Sequence, residues 1–145
     1  MKKWVLVLFM FLSLSGCTGN KEVLTRLSEF PDNSFDISTI EKADCYLGGG
    51  SVYSLSDASH IQDIYDGLLS ISVDTASSKK KLYIDDGDIL FNFIDEDDKG
   101  YMISFLTSEY YDDGGNYYTV RERQKLLELM DWVRDYYQME VGDGE

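Results

Sequence analysis

Residues 89–120 read ILFNFIDEDDKGYMISFLTSEYYDDGGNYYTV, and the fold turns on this stretch. Ile89–Ile94 and Tyr101–Thr107 are short runs of β-branched and aromatic residues. Glu96-Asp97-Asp98-Lys99-Gly100 separates them, with the Asp/Gly chemistry of a hairpin turn. Phe91 and Phe93 alternate with Leu90, Asn92 and Ile94, which predicts a central strand covered on both faces. Tyr110–Val120 forms a further hairpin that turns at Asp112-Asp113-Gly114-Gly115-Asn116. If it closes, its two tyrosine pairs face each other, one tyrosine of each pair pointing to the core and one outward. Consecutive hairpins make an antiparallel meander.

Downstream, Thr119-Val120-Arg121-Glu122 has the spacing of a capping box. The helix it opens carries Leu126, Leu129, Met130, Val133, Tyr136 and Tyr137 on one face. It is expected to reach about Gln138, with 139–145 a disordered tail. Upstream, Ser56 or Asp57 can cap a helix in which Ile61, Ile64, Tyr65, Leu68 and Leu69 follow at i, i+3, i+4, i+7 and i+8. Ile37–Leu47 and Ser51–Leu55 read as strands around Gly48-Gly49-Gly50, and Ile71–Asp74 and Lys81–Ile84 as two more, the latter ending at the turn Asp85-Asp86-Gly87-Asp88. Two amphipathic helices on an antiparallel sheet of five or six strands make an α+β two-layer sandwich, one domain over 37–138. Residues 17–36 precede it as the expected tether. Within them Val23, Leu24, Leu27 and Phe30 suggest a turn or two of helix, ended by Pro31 and Asp32-Asn33-Ser34.

The first residues read as an address. Lys2 and Lys3 precede the apolar run Trp4 to Leu12, too short for the ~20 residues of a membrane-crossing helix. A basic start, a short apolar stretch and small residues after it describe a secretory signal peptide over residues 1–16. Leu14-Ser15-Gly16-Cys17 resembles the lipobox of bacterial lipoproteins, in which an apolar residue and two small ones precede an invariant cysteine. The resemblance implies a diacylglyceryl group on the sulfur of Cys17, cleavage just before it, and a lipid-anchored protein on the outer face of the cell membrane. One acyl chain binds a membrane marginally, whereas two or more anchor it stably. In pattern alone, residues 37–138 also resemble small lipoproteins of single-membrane bacteria, which brings no functional motif.

The 145 residues hold 13 basic and 27 acidic groups, a formal net charge of −14. Cleavage would remove Lys2 and Lys3 and leave −16. Such a body lacks the basic face that displaces counterions from nucleic acid, and anionic head groups repel it. One histidine and two cysteines make neither a Cys/His zinc cage nor a disulfide framework. Cys45, beside Ala43, Tyr46 and Leu47 in a strand, reads as a small buried hydrophobe.

Candidate chemistry is sparse. Asp95-Glu96-Asp97-Asp98-Lys99-Gly100 begins like a calcium loop, but Lys99 fills a ligand position and Leu106 stands where the bidentate acid belongs. A solvated hairpin turn is the better reading. His60 could act as a general base, yet it sits in the first turn of a helix and the chain has no Gly-x-Ser-x-Gly elbow. No phosphate-binding glycine loop occurs either, so no cofactor and no metal is expected. The distinctive surface feature is the hairpin with Tyr110, Tyr111, Asp112, Asp113, Tyr117 and Tyr118. Tyrosines among Gly, Asn and Asp offer large amphipathic contact area at low entropic cost, and the competing reading is plain cross-strand aromatic pairing that stabilises the hairpin. The functional expectation is a non-enzymatic, membrane-tethered module that binds an envelope protein or peptide, with an immunity or inhibitor lipoprotein as its more specific version. The alternatives are a wall- or peptide-modifying hydrolase and an extracellular ligand sensor.

Overall fold

The computed structural model describes residues 23–77 and 88–142. The signal segment, Cys17 and the expected strand Lys81–Ile84 lie outside the described residues. The strands are β1 (Leu24–Arg26), β2 (Ile40–Leu47), β3 (Val52–Leu55), β4 (Ser72–Asp74), β5 (Ile89–Asp95), β6 (Gly100–Thr107), β7 (Tyr110–Asp113) and β8 (Asn116–Thr119). The helices are α1 (Ala58–Leu69) and α2 (Arg123–Gly142). A six-stranded antiparallel sheet runs in the order β3-β2-β5-β6-β7-β8. β1 and β4 pair separately and join it through a bridge between Val73 and Val120. This is the expected α+β architecture.

Period-two alternation sends Ala43, Cys45, Leu47, Phe91, Phe93, Ile103, Phe105 and Tyr111 to one face. Ile61, Ile64, Tyr65 and Leu68 of α1 and Leu126, Leu129, Met130 and Val133 of α2 bury against that face in one continuous core. Burial pushes the Cys45 thiol up to about 12, with the Asp44 charge adding to it, so the sulfur is an inert core atom.

Several boundaries differ from the sequence reading, each for a local reason. Asp36 accepts from the backbone N–H and the hydroxyl of Ser38 (3.0 and 2.6 Å), which winds Ile37–Thr39 into a 3-10 turn and delays β2 to Ile40. β5 is central but covered on one face only. Both helices pack on the side of Phe91 and Phe93, leaving Leu90, Asn92 and Ile94 half-exposed on the other. The expected capping box does not form, because Thr119 pairs with Tyr110 as the last residue of β8. The carboxylate of Glu122 accepts instead from the backbone N–H of Ser72 (2.9 Å) and pairs with Lys125 (2.8 Å). α2 runs past Gln138 to Gly142, so the expected disordered tail is helical over 139–142. Glu140 anchors that last turn across the fold, accepting from the backbone N–H groups of Ser56 (3.0 Å) and Asp57 (2.6 Å).

Whether the amino-terminal segment packs on the domain is left open by the sequence, and the structure answers it for residues 24–36. Residues 24–36 belong to the domain: Leu27 is fully buried, Phe30 nearly so, and Pro31 starts a second 3-10 turn rather than ending a helix. Asn33, 1 % exposed, is the buried polar side chain among the described residues. Its amide donates to the carbonyl of Leu27 (2.9 Å) and to the hydroxyl of Tyr111 (2.9 Å), and accepts from that hydroxyl (3.2 Å). Its backbone carbonyl accepts from the Tyr65 hydroxyl of α1 (2.9 Å). A buried polar group left unpaired costs roughly 1–3 kcal/mol. Asn33→Ala orphans the Tyr111 hydroxyl and leaves the Leu27 carbonyl with only the backbone N–H of Phe30 (3.2 Å), so urea unfolding is expected to show a loss of at least about 1 kcal/mol. A loss below half that value would mean that the segment is not pinned there.

Candidate functional site

The tyrosine–aspartate hairpin closes through Gly114 and Gly115, whose φ angles of +59° and +92° only glycine adopts without strain. The carboxylate of Asp112 accepts from the backbone N–H of Gly115 (2.8 Å) and holds the turn. Tyr111 and Tyr118 face inward, where both rings pack edge-on against Phe30 at 4.9 and 5.0 Å. Tyr110 and Tyr117 fall on the opposite face and are half-exposed. The candidate set therefore divides. Tyr111 is 2 % exposed and its hydroxyl is engaged by Asn33, so it is a core residue and not a contact surface. Tyr118 also packs on the core. Asp112, Asp113, Tyr110 and Tyr117 remain partly accessible.

What the hairpin builds is a cleft. β7 pairs with β6 only at Ser104–Asp112, Phe105–Tyr111 and Thr107–Tyr110. Past Asp112 the two strands part, and a space of about 380 Å³ opens between them. Leu90, Met102 and Ser104 line one wall, and Asp112 and Asp113 the other. The 3-10 turn pinned by Asn33 carries Asp32 into the same space. Three carboxylates from two distant stretches of chain thus converge, and among the described residues no cation pairs with any of them.

The charge shows its cost. Burial, followed by the nearby charges of Asp32 and Asp112, holds the Asp113 carboxyl above the usual carboxylate range. Burial first, and then the same three acids, push the Tyr111 hydroxyl up to about 12, against the lowering effect of its hydrogen bond with Asn33.

The other candidates serve the fold. His60 stacks on Tyr136 with ring centres 4.0 Å apart, and its Nδ1 lies 3.1 Å from Glu140. The Tyr136 hydroxyl donates to Asp63 (2.9 Å). The result is a clasp between the start of α1 and the end of α2. The Asp95 carboxylate is taken up by its own turn, accepting from the backbone N–H groups of Asp97 (2.9 Å) and Lys99 (3.0 Å). Sequence reasoning missed Asp32, Met102 and Leu90 as parts of the site. Asp32 stood in what looked like a turn ending a tether, and nothing local announces that Asn33 folds it back.

No protein-family model, curated protein or solved structure matches the chain.

A carboxyl whose folded-state pKa is raised binds protons more tightly in the folded than in the unfolded chain. Stability then falls as pH rises from the unfolded value of ~3.9 through the folded one, and the loss persists at neutral pH. Asp113→Asn removes that charge. It is expected to raise Tm at pH 7 and to leave Tm unchanged near pH 3, as thermal melts at the two pH values would show. A lowered Tm at pH 7 would contradict the placement of Asp113 beside the charges of Asp32 and Asp112.

Proposed function

We propose that this chain is a lipoprotein anchored through Cys17 at the outer face of the cell membrane. It acts there as a non-enzymatic module that receives a cationic group of an envelope protein or peptide. One observation carries the reading: Asp32, Asp112 and Asp113 converge on a cleft with an apolar wall and no cation of the chain's own among the described residues. Natural proteins keep such destabilising arrangements where function uses them. The apolar wall of Leu90 and Met102 suits the methylene stem of a lysine or arginine, and the carboxylates suit its charged head. The immunity or inhibitor role is a specific form of the same reading, since both occupy a basic partner.

The lipid anchor and the cleft are compatible in reach. Residues 18–22 separate Cys17 from Val23, and a fully extended chain of that length spans at most about 20 Å. The domain is thereby kept beside the membrane surface, where an envelope partner would be met. Its formal charge of −16 after cleavage keeps it from lying on anionic lipid.

Two experiments test the proposal. Labelled fatty acid is expected to enter the wild-type protein and not Cys17→Ala. Equal labelling of both would remove the anchor. With the partner captured by crosslinking in living cells, the double variant Asp112→Asn, Asp113→Asn is expected to associate more slowly and with a flatter salt dependence, while dissociation changes little. Unchanged association across salt concentrations would rule out the cleft as the contact.

A further inference from the structure

The side of the sheet that the helices do not cover has its own order. Strand register places Val52, Tyr46, Leu90, Ser104, Asp112 and Tyr117 directly opposite one another across β3-β2-β5-β6-β7-β8. At a strand spacing of about 4.8 Å this row is roughly 24 Å long. Its first half is apolar. Tyr46 and Val52 are 39 % and 42 % exposed, and Met102, in the neighbouring row on β6, is 62 % exposed. Its second half holds Asp112 at the mouth of the acidic cleft.

The free face of an antiparallel sheet is ordinarily polar. Apolar side chains adjoining across three strands are unlike single exposed residues, which need no explanation. The two halves also differ in how their charges are met. On the apolar half, Asp44 is satisfied within the chain by Lys42 (3.1 Å) and by the Ser54 hydroxyl (2.6 Å). The acids of the cleft pair with no cation among the described residues, and Asp112 accepts only from the backbone N–H of Gly115. The surface therefore carries a direction, from an apolar end to an end that lacks a cation.

We infer that this face docks a segment of another protein with lysine or arginine at one end, seated in the cleft, and apolar side chains at the other, laid over Leu90, Met102, Tyr46 and Val52. The inference rests on the proposed binding function and names the chemistry of its partner. A membrane surface is a poorer occupant, because Asp32, Asp112 and Asp113 would be pressed against head groups. A second copy carries the same formal net charge of −14, which opposes its docking here.

The test uses the mature chain from position 17 carrying Cys17→Ser, so that no acyl group competes. The probes are a block peptide of four lysines followed by eight alternating leucines and serines, and a lysine-only peptide of equal charge. The block peptide is expected to bind more tightly than the lysine-only peptide. Met102→Glu is expected to weaken the block peptide roughly tenfold or more, the size of one lost apolar contact. Charge attraction alone would instead tighten it. A nitroxide on the lysine end is expected to broaden the NMR signals of Gly114 and Tyr117, and one on the leucine end those of Val52 and Tyr46. Equal affinity of the two peptides, or broadening that ignores which end is labelled, overturns the inference and leaves the acidic binding function standing. Binding of neither peptide overturns both. Concentration-dependent broadening of Tyr46, Val52 and Met102 without peptide would assign the face to a second copy, and their broadening by phosphatidylcholine vesicles would assign it to lipid. Either result also overturns the inference.

Discussion

The side-chain amide of Asn33 is the contact on which the rest of this molecule depends. It is buried, and it satisfies the Leu27 carbonyl and the Tyr111 hydroxyl at once, while its backbone carbonyl takes the Tyr65 hydroxyl. Three parts of the chain meet there: the amino-terminal segment, the last hairpin and α1. A buried polar network of this kind specifies geometry, because each member loses most when any other moves. Phe30 closes over the inward tyrosines Tyr111 and Tyr118 only because the segment is held down beside them. Asp32 is next to Asn33 in sequence, so the same pin carries its carboxylate to Asp113. Core packing and the electrostatics of the cleft thus follow from one side chain.

Much of the fold was legible in the sequence because two periods decide it. The alternation in Ile89–Asp95 and Gly100–Thr107 and the i, i+3, i+4 spacing of Ile61, Ile64, Tyr65 and Leu68 appear in the structure as buried faces. The hairpin's division into inward Tyr111 and Tyr118 and outward Tyr110 and Tyr117 follows from the same alternation. What was not legible lacks a period. The 3-10 turns of Leu27–Glu29 and Pro31–Asn33 are too short to show one, and their burial depends on Tyr111, 78 residues further on. Thr119-x-x-Glu122 has the letters of a capping box, but a strand partner claims Thr119 and Ser72 claims Glu122. The helix end at Gly142 depends on Glu140 reaching the start of α1, a tertiary contact that no local propensity encodes. The cleft was hidden for a different reason. Its acids were visible as a list, but their convergence requires β6 and β7 to part after Asp112.

Charge gives the site its logic. Two acids outside the cleft are absorbed by a cap and a turn. Asp57 caps α1, accepting from the backbone N–H groups of Ser59 and His60, and Asp95 is bound by its own loop. Both carboxyls are held below the ordinary range, chiefly by the Ser59 hydroxyl in the first case and the Lys99 backbone N–H in the second. Those two groups stabilise the fold at neutral pH, and their contribution is lost as pH falls through the carboxylate range. Asp113 has the opposite sign. A cleft that gathers Asp32, Asp112 and Asp113, with no cation paired to them among the described residues, concentrates negative charge where a cation can enter.

The most direct measurement is the titration of the Asp113 side-chain carboxyl by carbon-detected NMR, alone and with a saturating lysine-rich peptide. A cleft built for a cation predicts a midpoint above that of an ordinary aspartate in the free protein, and a fall when the peptide's ammonium groups enter beside Asp113. A midpoint in the ordinary range that stays the same with peptide bound would contradict both the convergence of the acids and the function drawn from it.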